Sequence, residues 1–205
     1  MEYHISEPMS KISPSAIREI LKYSSDPEVV PFSAGNPAPE AFPVDRIAEI
    51  SARILREQPI TALQYGATEG YTPLREYLQQ YLKKEHNIAT EGDNLIITSG
   101  AQQVMELATK SLCDIGDVVI TEDPSFIGSL NSFRSIGAKL VGVPVKPDGM
   151  DMEALEQTLK ANPNARFIYT IPNFQNPTGV TMSWEKRQRM YALAKQYGVL
   201  IVEDN

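Results

Sequence analysis

From residue 94 onward, short apolar runs alternate with amphipathic helical segments. Each run is only a few residues long, which is typical of a buried strand, whereas the segments between them carry apolar residues at helical spacing. Strands that alternate with helices favour a parallel sheet covered by helices. The sequence therefore predicts an α/β fold, with a mostly parallel sheet in a three-layer α/β/α arrangement. The five predicted strands are residues 95–98, 118–121, 139–145, 167–170 and 199–204.

The residues before 94 favour helices and loops. A stretch at 29–42 contains several prolines and one central glycine, which is typical of an extended arm or a linker. We expect a helix and this arm to make up residues 1–43, and the first part of a larger domain to occupy residues 44–205. The predicted helices of the whole chain are residues 10–23, 44–57, 71–86, 103–112, 127–136, 152–160 and 184–197.

Composition excludes several classes of function. The chain has 205 residues and a formal net charge of -7, and its basic residues form no cluster, so nucleic acid is not an expected partner. The single cysteine, Cys113, lies in an apolar helical stretch and is expected to be structural, while His4 and His86 lack the spacing of metal ligands. No apolar run reaches the ~18 residues that cross a bilayer, and no signal-peptide pattern follows Met1. We expect a cytoplasmic protein with no membrane partner.

The loops that follow parallel strands meet at one edge of the sheet, where α/β proteins bind ligands. Residues 99–102 join a predicted strand to the start of a helix, whose free N–H groups and dipole favour an anion. Ser99 adds a hydroxyl, and Gly100 allows close approach beside Ala101 and Gln102. These residues form a candidate phosphate site, with a plain strand-to-helix turn as the alternative. No GxGxxG or GKS/GKT motif occurs, which disfavours a nucleotide.

A second loop at this edge, residues 171–179 (IPNFQNPTG), follows the predicted strand at 167–170. Two prolines and a glycine bend its backbone, and we expect the bend to lift three polar side chains off the sheet edge. An ordinary proline-rich turn would explain the loop equally well if it stood alone. The amide of Asn176 can donate a hydrogen bond to a phenolate-like oxygen. The three polar residues are Asn173, Gln175 and Asn176.

Two further residues at the strand ends suggest an aromatic, charged ligand. Phe126 offers a flat face that could stack on a ring, although packing in the core is the default interpretation. Asp204 ends an apolar strand, where a carboxylate needs a cationic partner that a protonated ring nitrogen would supply. Phosphate, ring, ring oxygen and ring N–H together describe pyridoxal 5′-phosphate (PLP), whose pyridine acts as an electron sink.

The chain resembles the N-terminal portion of the fold-type I PLP-dependent aminotransferases of class I/II. Within them it is most similar to the subgroup that contains 2-aminoadipate aminotransferases and the effector domains of MocR-type regulators. The resemblance extends over nearly the whole chain. The segments that carry it are SAIREILK, FSAGNPAPEAFP, LQYGATEGYTPLREYL, ITSGAQQ, EDPSFIG, PNFQNPTG and VLIVED.

This resemblance implies a role for each candidate residue at the strand ends. The segment from Ser99 to Gln102 matches the turn that binds the cofactor phosphate. Phe126 matches the aromatic residue that stacks on the ring, where tyrosine is more usual in this subgroup. Asn176 matches the donor to the ring oxygen O3′, and Asp204 matches the acid that pairs with the pyridinium nitrogen.

The resemblance also gives functional roles to two residues whose residue type alone predicts only a structural role. Tyr65 would by itself be assigned to core packing, but it matches a tyrosine that reaches the cofactor phosphate of the neighbouring subunit. This implies a homodimer with shared active sites. Gly35 would by itself be assigned to a linker, but it matches the segment that closes over the substrate carboxylate.

The function that the resemblance implies is transfer of an amino group between an amino acid and a 2-oxo acid. The family's Schiff-base lysine and its substrate-binding arginine follow the strand that ends at Asp204, and no lysine of this chain has the matching S-x-S-K context. We therefore expect a fragment that is inactive alone, and the amino acid substrate stays open. The alternatives are the ligand-sensing effector domain of a MocR-type regulator and a catalytically silent α/β remnant.

Overall fold

The computed structural model describes residues 3–10, 12, 28–29, 37–88 and 91–205. The chain divides into two compact units, one of Met1–Ser15 with Ser99–Asn205 and the other of Ala16–Thr98. The boundary predicted at residue 43 lies inside the second unit and stays a prediction. Most of the leading helix predicted at 10–23 lies outside the described residues.

A five-stranded sheet forms the centre of the first unit. Its strands are β1 (Val118–Asp123), β2 (Lys139–Lys146), β3 (Gly149–Met150), β4 (Ala165–Thr170) and β5 (Leu200–Glu203). They lie in the order β3-β2-β1-β4-β5, and every pair is parallel except the short antiparallel pair of β2 with β3. The predicted α/β fold with a mostly parallel sheet is therefore confirmed.

Most predicted helices form within two residues of their predicted ends, because their apolar spacing is unambiguous. The sequence did not predict the helix Pro59–Leu63 or a short 3₁₀ helix at Pro39–Ala41. The α-helices are α1 (Glu7–Ser10), α2 (Val44–Glu57), α3 (Pro59–Leu63), α4 (Thr72–His86), α5 (Ala101–Leu112), α6 (Ile127–Ile136), α7 (Met152–Ala161) and α8 (Trp184–Tyr197).

Two apolar clusters sandwich the sheet, because successive strand residues point to opposite faces. On one face Val119, Phe167 and Tyr169 pack with side chains of α5 and α6, and the ring of Phe133 meets those of Phe167 and Tyr169 edge-on, with ring centroids 5.4 and 5.2 Å apart. On the other face Ile120 and neighbouring strand residues pack with side chains of α7 and α8. These layers fix the positions at which the strands end.

The predicted strand at 95–98 is wrong, since β1 to β5 are the strands of the described residues and none includes it. The hydrogen bonds of this segment include those from the Ile97 N–H to the Glu69 carbonyl, at 2.9 Å, and from the Arg75 Nε to the Leu95 carbonyl, at 2.6 Å. An apolar run becomes a strand only where a neighbouring strand pairs with it, and its length alone does not show this.

Apolar residues recur at helical spacing in α2 and α4, which predicts helices that face a core, but none of the described residues between 37 and 98 is buried. Ile47 of α2 and Tyr77 of α4 are 57% and 64% exposed. Helical spacing predicts which residues share a face, and it cannot tell what covers that face.

Asp151 caps the N-terminus of α7, where its carboxylate accepts hydrogen bonds from the N–H groups of Glu153 and Ala154 at 3.0 and 3.2 Å. We expect Asp151→Ala to lower the free energy of unfolding by about 1 kcal/mol near neutral pH. The hydrogen bond from Ala154 is the main cause that holds the pKa of Asp151 below its usual value. A lowered pKa means that this stabilisation is present above the pKa of the unfolded chain and is lost as the pH falls through the folded pKa.

Urea unfolding of the full-length protein measures this effect at neutral and acidic pH. Asp151→Asn is the matched control, because asparagine caps a helix about as well as aspartate. An Asp151→Ala protein as stable as wild type at neutral pH would show that the cap contributes nothing.

Candidate functional site

The carboxyl ends of β1, β4 and β5 lie side by side, since the three strands are parallel neighbours. The loop to α6 follows β1, the loop at 171–183 follows β4, and Asp204 follows β5. These connections carry three of the predicted site residues, namely Phe126, Asn176 and Asp204. The fourth group, residues 99–102, begins α5 in the same unit.

Helix α5 starts directly after Gly100, whose φ of 78° and ψ of 170° strain any residue with a side chain. Ser99 to Gln102 are exposed, and the N–H of Ser99 donates to Oε1 of Gln103 at 2.6 Å. The side chain of Gln102 is directed to α6, where Nε2 donates to the carbonyl of Gly128 at 2.9 Å and to the hydroxyl of Ser132. Gln102 can therefore offer its backbone N–H to an anion, while its side chain joins α5 to α6.

Phe126 immediately precedes α6, and its half-buried ring lies over Gly128. A Cβ placed on Gly128 would lie 2.6 Å from Cε1 of that ring and 2.9 Å from Oε1 of Gln102. Because Gly128 has no side chain, there is room beside it for the ring of Phe126 and for the amide of Gln102, which joins α5 to α6.

Asp204 is half-buried and is held by its backbone and its side chain. Its N–H donates to the carbonyl of Thr170 at 3.0 Å, and its Oδ2 accepts the hydroxyl of Tyr169 at 2.6 Å. The Tyr169 hydroxyl also lies 2.9 Å from the hydroxyl of Ser129, which can donate to it. Tyr169 is fully buried, and burial, together with Asp204, raises its pKa far above the usual value. Tyr169 is therefore a neutral donor that fixes one oxygen of the Asp204 carboxylate.

The loop after β4 differs from the prediction at one of its three polar residues. Asn173 and Asn176 are exposed, as expected, and Oδ1 of Asn173 accepts Nη2 of Arg187 at 2.7 Å. Gln175, in contrast, is only 3% exposed and points inward. Its amide donates to Glu122 at the end of β1, at 3.0 Å. The bent backbone thus exposes Asn173 and Asn176 and buries Gln175, which lies between them in the sequence.

The sequence singles out three further residues, Tyr65, Gly35 and Cys113. Tyr65 belongs to the second unit and is 100% exposed, and its N–H donates to Oε1 of Gln64 at 2.9 Å. Gly35 lies outside the described residues. Cys113 is half-buried, and burial raises its pKa to about 11, which disfavours a thiolate nucleophile.

Among the described residues there is neither a metal-binding cluster nor a membrane-spanning helix. Within the described ranges, no cluster of three histidine, cysteine or acidic side chains could hold a metal ion. No helix within those ranges is long and apolar enough to cross a membrane.

The known proteins that match this chain include aminotransferases and HTH-type transcriptional regulators. Residues 27–205 match the family model "Aminotransferase class I and II". The chain is 38% identical to aromatic-amino-acid aminotransferase 1 of Thermococcus litoralis, over 100% of this chain and 50% of the relative. It is 40% identical to the 2-aminoadipate transaminase of Thermus thermophilus, over 95% of this chain and 47% of the relative.

Solved structures agree with these matches. A crystal structure of kynurenine aminotransferase from Pyrococcus horikoshii, in complex with PMP, superposes with a TM-score of 0.89 and 34% identity, over 98% of this chain and 50% of that chain. The chain thus spans about half the length of the relatives that it matches. Its sequence and its fold show that the chain belongs to the class I and II aminotransferase family.

Proposed function

We propose that the full-length protein is an aminotransferase that uses PLP to move an amino group from an amino acid to a 2-oxo acid. The observation that carries the proposal is the Asp204 carboxylate at the end of β5, held through Oδ2 by the buried Tyr169. Because this hydrogen bond fixes the orientation of the carboxylate, its other oxygen, Oδ1, can accept a hydrogen bond from an N–H group of a ligand. Family membership supports the proposal, as does the PMP complex of the Pyrococcus horikoshii relative.

The chemistry of the donor set fits this cofactor. The N-terminus of α5 and the Ser99 hydroxyl offer donors to a phosphate. Phe126 offers a ring face, and the exposed Asn176 offers an amide N–H to a ring oxygen. Asp204 offers a carboxylate to a protonated ring nitrogen. These groups belong to one unit, and contacts through Gly128 and Ser129 of α6 connect Phe126, Gln102, Tyr169 and Asp204.

Bound PLP would supply an electron sink for the carbanion that forms when an amino acid loses its α-proton. Asp204 would keep a proton on the ring nitrogen, because a carboxylate in contact with a cationic group favours its charged form. Tyr169 would hold Asp204 in position through its hydroxyl. Asn176 would donate to the ring oxygen, and Phe126 would cover one face of the ring and exclude water from it. Ser99 to Gln102 would hold the phosphate and so fix the position of the whole group.

Further parts of this proposal concern Tyr65, Gly35 and the lysine that forms the Schiff base. Tyr65 is fully exposed, as a residue that contacts the cofactor phosphate in a second subunit must be before assembly, so we include a homodimer with shared sites. We assign the segment around Gly35 to closure over the substrate carboxylate. The Schiff-base lysine is expected beyond residue 205. The expected cytoplasmic location comes from the sequence alone.

The full-length protein, reconstituted with PLP, provides the test. We expect a visible absorption band that disappears when an amino acid donor is added, and formation of the corresponding 2-oxo acid measured by chromatography. Aromatic, branched-chain and 2-aminoadipate donors should be compared side by side. A protein that binds PLP but produces no 2-oxo acid from any donor would contradict the enzyme and favour the ligand-sensing alternative. A protein that binds no PLP would favour the silent remnant.

Replacement of Gly128 tests the ring contact. Gly128→Ala places a methyl group within 3 Å of the Phe126 ring and of the Gln102 amide, so the ring must move. We expect PLP to bind about 2- to 10-fold more weakly, which corresponds to the loss of one aromatic stacking contact. The unfolding midpoint should change little, because both displaced groups are the flexible ends of side chains.

Fluorescence titration with PLP measures this affinity. The matched control is Ser135→Ala on the same helix, where the lost hydroxyl contacts only the Ser132 carbonyl among its described partners, at 2.7 Å. Unchanged PLP affinity in Gly128→Ala would show that Phe126 does not stack on the cofactor.

A further inference from the structure

Glu122, near the end of β1, has a buried carboxylate with 2% of the residue exposed. Its Oε1 accepts the hydroxyl of Thr170 at 2.8 Å. Its Oε2 accepts the N–H of Ile171 at 3.1 Å and Nε2 of Gln175 at 3.0 Å. Glu122 thus contacts the end of β4 and the loop that follows it, and all three donors are neutral.

Gln175 extends this network to the loop after β1. Its Nε2 also donates to the carbonyl of Pro124 at 2.8 Å. Its Oε1 accepts the N–H and the hydroxyl of Thr178 at 2.9 and 2.6 Å. The backbone of the loop closes on the same residue, since the N–H of Gln175 donates to the carbonyl of Val180 at 2.8 Å. The amide of Gln175 has both its donors and its acceptor engaged in the protein.

Glu122 and Gln175 lie close to the residues to which cofactor contacts are assigned, but neither side chain can contact the cofactor itself. Gln175 immediately precedes Asn176, and Pro124 lies two residues before Phe126. Both side chains are buried, and the three hydrogen bonds to Glu122 occupy both of its oxygens. Neither residue is therefore a ligand contact.

Burial of an acidic side chain at position 122 costs free energy. Burial raises the pKa of Glu122, and no ion pair found among the described residues includes it. An apolar side chain of similar size would fill the space without that cost. What an apolar side chain cannot do is accept hydrogen bonds from two neighbouring strand ends and a loop at once.

We infer that Glu122 and Gln175 form a buried clasp that fixes the loop carrying Asn176 against the loop carrying Phe126. In this role Glu122 is a positioning residue for the cofactor. The inference rests on the proposed function, because the contacts that it positions are those assigned to PLP.

Two substitutions in the full-length protein separate hydrogen bonding from charge. Glu122→Gln keeps a carbonyl oxygen for Ile171 and Gln175, and its new N–H₂ can donate to the Thr170 hydroxyl, which also accepts. Glu122→Met keeps the length and removes every acceptor. We expect PLP to bind Glu122→Gln within about threefold of wild type, and to bind Glu122→Met about tenfold more weakly.

Two further readouts distinguish positioning from general destabilisation. The circular dichroism of bound PLP reports the orientation of its ring, and we expect it to change in Glu122→Met and to be retained in Glu122→Gln. Amide hydrogen exchange of residues 172–180, measured without PLP, should be faster in Glu122→Met and unchanged in Glu122→Gln. Glu203→Met, which removes an exposed carboxylate on β5, a strand separated from β1 by β4, is the matched control and should change neither readout.

Each outcome decides the inference. Wild-type loop exchange and wild-type PLP dichroism in Glu122→Met would overturn it, and so would a Glu122→Gln protein as impaired as Glu122→Met. If Glu122→Met does not fold, Gln175→Met takes its place. We then expect faster amide hydrogen exchange of residues 172–180, and unchanged exchange would overturn the inference. If wild-type protein binds no PLP, the proposed function fails, whereas loop exchange still decides whether Glu122 and Gln175 hold this loop.

Discussion

Asp204→Asn is expected to lower the kcat/KM for amino-group transfer by the full-length protein by about 100- to 1,000-fold. The estimate follows from the loss of about 3–4 kcal/mol when one partner of a buried, hydrogen-bonded charge pair is removed. Asparagine keeps the shape of the side chain and a hydrogen-bonding group for Tyr169, but it has no charge to hold a proton on the ring nitrogen. The loss should therefore appear mainly in kcat.

The measurement is steady-state kinetics with saturating PLP, together with the ¹⁵N chemical shift of isotopically labelled PLP bound to the protein. The shift should indicate a protonated ring nitrogen in wild type and a neutral one in Asp204→Asn. Glu203→Gln is the matched control, because Glu203 is the preceding carboxylate and is exposed. A protonated ring and near-normal kcat in Asp204→Asn would contradict the role assigned to Asp204.

Tyr169→Phe has the second largest expected effect. It removes the hydroxyl that donates to Asp204 at 2.6 Å and leaves the ring in the apolar cluster. A hydrogen bond to a charged group contributes about 1.5–3 kcal/mol, so we expect kcat/KM to fall by about 10- to 150-fold. The unfolding midpoint should change less, since the buried area of the ring is kept.

A double-mutant cycle with Asp204→Asn tests whether Tyr169 acts through Asp204. The two effects should be strongly non-additive, because the tyrosine has no role once the carboxylate is gone. Tyr197→Phe provides a control, since Tyr197 packs against the apolar cluster on the opposite face of the sheet. Additive effects of Tyr169→Phe and Asp204→Asn would mean that the hydroxyl acts independently of Asp204.

The sequence predicts the sheet edge better than it predicts what holds the edge together. Asp204 could be found because it ends an apolar run, and Asn176 because it lies in the bent, proline-containing loop that follows one. Tyr169 could not be found in this way, because a tyrosine inside a strand has the spacing of a core residue. Its polar role depends on Ser129 and Asp204, which are distant in sequence and meet it only in the folded chain.

Glu122 and Gln175 illustrate the same limit. The sequence places Glu122 in the loop directly after the predicted strand at 118–121 and Gln175 in a bent loop, where polar side chains are expected to be exposed. Both are buried because the hydrogen bond between them and further bonds to neighbouring residues satisfy their polar groups, and residue type does not reveal such a network. The wrong strand at 95–98 has a related cause, because pairing between strands depends on the tertiary structure and not on local propensity.

The most direct test of this account is a crystal structure of the full-length protein with PLP bound. We predict that the phosphate accepts hydrogen bonds from the start of α5 at Ser99 to Gln102 and that the ring lies against Phe126. Asn176 should contact the ring oxygen, and Asp204 should contact the ring nitrogen through the oxygen not held by Tyr169. PLP bound elsewhere, or bound at this edge with its ring nitrogen away from Asp204, would contradict the account.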